Sequence, residues 1–109
     1  MKINQEVIEN VYQSLAHCRE ALQASAFILA EDKLRLDVAL AKGLADGTIV
    51  GKNQQLRDAA SREVLADLYE EVDLAQIGYD ESRLNFDLAQ YKVDEVRLIV
   101  RLLEISYGN

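Results

Sequence analysis

The 109 residues suffice for one domain and are too few for two independent cores. Proline is absent, half of the residues are apolar and the net charge is -7, a composition that excludes intrinsic disorder and favours long helices over a sandwich or barrel. The acidity is local: residues 1–62 carry eight acids against eight bases, residues 63–95 carry ten acids against Arg83 and Lys92 alone, and the tail from Val96 adds one positive charge. An acidic segment of this kind repels nucleic-acid phosphates and suits a basic partner, besides aiding solubility.

A first helix is expected over about residues 3–45. Ile8, Val11, Leu15, Cys18, Leu22, Ser25, Leu29, Asp32, Leu36 and Ala39 recur at alternating spacings of three and four, which places them on one stripe. Phe27, Leu34, Val38 and Ala41 flank that stripe and widen it beyond a narrow coiled-coil seam. A break near Ala16 or Ala30, giving a compact three-helix unit, is the alternative.

Residues 46–53 read as a turn. Asp46-Gly47 ends the first helix, with Gly47 or Gly43 free to take a left-handed conformation, and Asn53 is placed to cap the next helix. Ile49 and Val50 are expected to close the end of the apolar core. A phosphate loop is excluded: the Walker pattern needs four residues between its glycines and a hydroxyl after the lysine, whereas here three residues separate Gly47 from Gly51-Lys52-Asn53. What remains of an anion site is Lys52 near a helix N-terminus.

The second helix is expected over about residues 54–106. Leu65, Leu68, Val72, Ala75, Tyr79, Ser82, Phe86, Ala89, Val93, Val96, Val100 and Leu103 keep the same spacing over more than five heptads. A second line, Leu74, Ile77, Leu84, Leu88, Tyr91, Leu98 and Leu102, broadens its apolar surface. Gly78 either kinks this helix or permits a close helix crossing. Rods of 40 to 50 residues are about 60–75 Å long. Joined by a short turn they make one all-α domain, residues 1–109, an antiparallel helical hairpin. Because its apolar faces are too broad for mutual burial, two hairpins are expected to pair as a homodimeric four-helix bundle.

The turn with Gly51, Lys52 and Asn53, then Arg57 and the Arg62-Glu63 pair, then an acidic helix ending in Val96-Arg97 and Arg101-Leu102-Leu103-Glu104, resembles a group of small, largely uncharacterised helical proteins of bacterial and phage genomes. The resemblance covers roughly residues 43–104. It implies a helical fold and no established activity, cofactor or catalytic residue.

No catalytic, cofactor-binding or metal-ligating residue emerges from the side chains. His17 and Cys18 are single representatives of their types; adjacent on a helix, they point about 100° apart and cannot grip one ion together. Cys18 falls on the core stripe and reads as a buried thiol, His17 as peripheral. A di-iron bundle needs Glu-x-x-His, and the residue three before His17 is Ser14. Glu70, Glu71 and Asp73, or Asp80 with Glu81, read as solvated helix surface. Asp32 lies on the core stripe and needs a partner if buried; a hairpin folded at 47–50 brings it near Arg62, and an ion pair there would set the register. The alternative is an exposed Asp32. Lys33, Arg35, Lys42, Lys52, Arg57 and Arg62 enrich the turn end in positive charge without the interleaved aromatics of a nucleic-acid site.

The lone cysteine, the lack of a secretory-type N-terminal segment and apolar runs far short of the roughly 20 residues of a membrane span lead to the expectation of a cytoplasmic protein without a membrane role. The function expected is that of a noncatalytic helical adaptor or assembly protein with a macromolecular partner. Two alternatives are a small secreted helical hairpin, although the turn lacks that group's Trp-x-Gly, and an enzyme binding a phosphorylated ligand through Lys52, Arg57 and Arg62.

Overall fold

The computed structural model describes residues 3–107. Among these residues the regular structure is entirely helical: α1 spans Gln5–Asp46, α2 Gln54–Val64 and α3 Ala66–Tyr107. The chain forms two compact units, one made of residues 3–24 with 80–107 and the other of residues 25–79.

In the first unit α1 begins where the Asn4 side chain accepts the Val7 amide at 2.9 Å, satisfying a donor that the helix leaves unpaired. The core joins Val11 and Leu15 of α1 to Ala89, Val93 and Val96 of α3, with Ile8, Cys18, Phe86 and Val100 packed around them. Val93 is 0% and Val96 2% exposed; burying a valine side chain fully stabilises a fold by about 1.5–3 kcal/mol. The two helices run antiparallel. Arg97 meets Tyr12, while further along α1 Arg19 lies over the ring of Phe86.

In the second unit Leu29 and Leu36 are buried on the stripe that the spacing selects, and Arg35 of α1 reaches Glu71 of α3 at 3.3 Å. α1 is unbroken through Ala16 and Ala30. Its end follows the expected chemistry. Gly47 has φ +80°, the left-handed region that glycine enters without penalty, and the Asp46 carboxylate accepts the Thr48 amide at 2.9 Å and also the Thr48 hydroxyl. The Ile49 amide then donates to the Gly43 carbonyl at 2.9 Å, and the Ile49 side chain packs so closely on Gly43 that a Cβ there would lie 2.5 Å from Ile49 Cδ1.

Four expectations are corrected. The single second helix is two helices, divided at Leu65, whose φ of −110° and ψ of 30° leave the helical region while its amide still donates to the Ser61 carbonyl. Asp32 pairs with Arg35 one turn away at 3.3 Å, and the guanidinium of Arg62 lies 4.7 Å above the ring of Tyr69. The cause is common to both: the eleven residues of α2 form a helix of their own, so α1 meets a later part of α3, and Lys33 shares a hollow with Gln76 and Tyr79. Val50 does not close the core. Ile49 is 3% exposed and Val50 72%. Gly78 serves no close crossing, since a Cβ added there would meet nothing within 4 Å, and α3 continues through it.

Candidate functional site

The turn is built to hold itself. Asn53, with extended backbone, caps α2 by accepting the Leu56 amide at 2.9 Å. Gly51 lies against the first turn of α2, where a Cβ would come within 2.6 Å of the Arg57 amide nitrogen. Only glycine fits that approach. Arg57 donates to the Gly51 carbonyl at 3.3 Å and to the Gln54 side chain at 3.4 Å, so it clamps the loop to the helix. Lys52 lines an open hollow with Val50, Gly51 and Leu56, and neither Arg57 nor Arg62 lines it. Arg57 turns to the Gly51 carbonyl and Arg62 to the Tyr69 ring.

Beyond the turn, α2 lies across the end of α1, and a hollow there is lined by Leu40, Leu44 and Ile49 with Asp58, Ser61 and Tyr69. Ser61 is 3% exposed. Its hydroxyl donates to the Asp58 carbonyl at 2.8 Å, which uses its one proton, so the Tyr69 hydroxyl at 3.2 Å donates to it. Arg62 on the Tyr69 ring completes a polar clasp across the Leu65 break.

In the first unit the Arg97 side chain donates to the Tyr12 hydroxyl at 3.0 Å. That hydrogen bond, and then the charge interaction with Tyr12, hold the guanidinium above its ordinary pKa. Open hollows lie on either side of this tie, one lined by Ile8, Val100 and Glu104 among others, the other by Leu15, Ala16 and Gln90.

The largest chemical feature is the outward surface of the helices. In the first unit α3 buries Ala89, Val93 and Val96 against α1, and on a different face Leu84, Leu88, Tyr91, Leu98 and Leu102 are each more than half exposed. In the second unit Phe27, Leu34 and Val38 of α1, with Leu74 and Ile77 of α3, are likewise more than half exposed. The second apolar line legible in the sequence is therefore not covered within the chain. Composition alone hid what interrupts it: Glu81 and Glu95 occupy its next positions in the three-and-four spacing, and Asp80, Asp87 and Asp94 recur every seven residues beside it. The seven-residue aspartate period was the available signal.

Cys18 is half-buried against the core and His17 is exposed. Among the described residues no group of three or more His, Cys, Asp or Glu side chains could hold a metal ion, and no helix is long and apolar enough to cross a membrane. No protein-family model matches the chain, and no curated protein or solved structure is significantly similar to it.

Proposed function

We propose that the chain is a noncatalytic helical adaptor or assembly protein, working through helix faces that it leaves uncovered. One observation carries this reading: α3 buries one apolar face against α1 while Leu84, Leu88, Tyr91, Leu98 and Leu102 stay exposed on another. Contiguous apolar surface of this kind marks sites of macromolecular contact. Helix-in-groove and helix-on-helix recognition use anchors at this spacing.

Within the same proposal two copies pair as a homodimer through the α1 row of Phe27, Leu34 and Val38. Its surroundings carry both signs of charge, Glu31 and Asp37 with Lys33 and Lys42, so a second copy finds opposite charges there. Kinship with the small helical proteins of bacterial and phage genomes, resting on the Gly51-Lys52-Asn53 turn and the acidic α3, belongs to this reading. The cytoplasm is the setting proposed, in keeping with a single cysteine kept as a free thiol.

The test is purification of the tagged full chain from an extract of its own cells, followed by light scattering, beside a Leu88→Ser/Leu98→Ser variant. A stoichiometric macromolecular partner recovered by the unaltered chain and lost by the variant is the expected result. A chain that recovers no partner and has the mass of a monomer overturns the proposal.

A further inference from the structure

We infer that the outward row of α3 in the first unit docks a basic amphipathic helix of another protein, one with cations set to meet Glu81 and Glu95. The inference deepens the adaptor reading and rests on it. Leu84, Leu88, Tyr91, Leu98 and Leu102 are more than half exposed, and with Glu81 and Glu95 they keep an unbroken alternation of three and four residues. That is the spacing of a helix-pairing seam. The two glutamates stand fourteen residues apart, about 21 Å along the helix.

Charge decides the occupant. Were a second copy to pair through this row in parallel, Glu81 would face Glu81 and Glu95 would face Glu95. Antiparallel pairing over the whole row sets each glutamate into a leucine layer and lays Asp87 against Asp94, while Asp80 meets Arg101 at the ends of the row. The parallel arrangement places four glutamates in the seam with no cation in their layers and the antiparallel one leaves both copies of Glu95 so, and charges removed from water without partners are costly. A helix carrying lysine or arginine at the two facing positions converts both layers into ion pairs. Asp80, Asp87 and Asp94 along one edge then meet further cations, and this segment lies within the strongly acidic part of the chain. The Asp94 carboxylate already accepts a hydrogen bond from Gln90 at 3.1 Å, which leaves acceptor positions for a partner.

The probe is a synthetic four-heptad peptide with leucine at its seam positions, lysine at two seam positions fourteen residues apart and lysine along one edge. Binding to the full-length chain is followed by fluorescence anisotropy at two salt concentrations. A scrambled peptide of identical composition and a peptide with glutamate in place of the two seam lysines serve as controls. The expected result is salt-sensitive binding of the lysine peptide, at least about tenfold tighter than either control. The Glu81→Lys/Glu95→Lys variant, its helicity checked by circular dichroism, is expected to reverse the preference between the two ordered peptides. Equal binding of the scrambled peptide, no binding, or an unreversed preference overturns the inference. So does a fall from dimer to monomer mass in Leu88→Ser/Leu98→Ser, which would make a second copy the occupant. The mass of Leu34→Glu, read on the same instrument, reports the α1 pairing separately. Loss of peptide binding with the dimer intact therefore counts against this inference alone.

Discussion

The Ser61 hydroxyl lies 3.2 Å from the Tyr69 hydroxyl, and the helix break at Leu65 falls between them. Ser61 is the buried residue of α2 and Tyr69 lies in the first turn of α3, so this bond ties the short helix to the long one across the break. Tyr69→Phe keeps the ring beneath Arg62 and removes the donor. A loss of about 1 kcal/mol in urea unfolding is expected, the ordinary net contribution of one hydrogen bond. Ser61→Ala is expected to cost a similar amount. The double variant should cost less than the sum, because both remove the same bond.

Two glycines are expected to respond to alanine with opposite signs. Gly47, at φ +80°, has open space around it but a conformation that costs an L-residue roughly 1–2 kcal/mol, so Gly47→Ala destabilises by that amount. Gly78 lies inside α3 with nothing near its missing Cβ, so Gly78→Ala stabilises by about 0.5–1 kcal/mol. Thermal unfolding of both variants beside the parent measures the contrast. Gly51→Ala is expected to be worse than Gly47→Ala, since its Cβ meets backbone.

Arg35 bridges Asp32 and Glu71 with both contacts at 3.3 Å, yet its own side chain and that of Glu71 are about half exposed. Screening by solvent limits such pairs, so Arg35→Ala is expected to cost under about 1 kcal/mol. The cost should shrink further when salt is raised, which distinguishes a surface pair from a buried one.

Asp46 is held below the usual carboxylate range by its hydrogen bonds from the Thr48 hydroxyl and then the Thr48 amide, with the Lys42 charge adding to them. A depressed folded pKa contributes stability above the unfolded value of about 3.9, and that contribution disappears as pH falls through the lower folded value. In a carboxyl NMR titration Asp46 should therefore titrate below an ordinary aspartate. Thr48→Ala should move it upward and weaken the pH dependence of stability in this acid window.

Much of this architecture was readable because periodicity reports burial within a helix. Each α1 stripe residue from Ile8 to Ala39 is buried or half-buried, and Asp46, Gly47 and Asn53 end and restart helices as their side-chain chemistry requires. The break at Leu65 was not readable. No glycine or proline marks it, and across it Ser61 and Arg62 of α2 contact Tyr69 of α3, pairings that helical spacing alone does not bring together. Missing it displaced the expected partner of Asp32 from Arg35 to Arg62. The second apolar line on α3 was legible as apolar, but spacing cannot say whether a face is covered. Its exposure came from the structure, and that exposure gave Glu81 and Glu95 their meaning.

The most direct test of association through uncovered helix faces is sedimentation equilibrium of the full chain over a range of concentrations, beside Leu34→Glu, whose position is exposed in the single chain. A mass rising from 12.3 kDa toward twice that value, abolished in the variant with helicity unchanged, is the expected result. A mass fixed at 12.3 kDa for the unaltered chain throughout would contradict it.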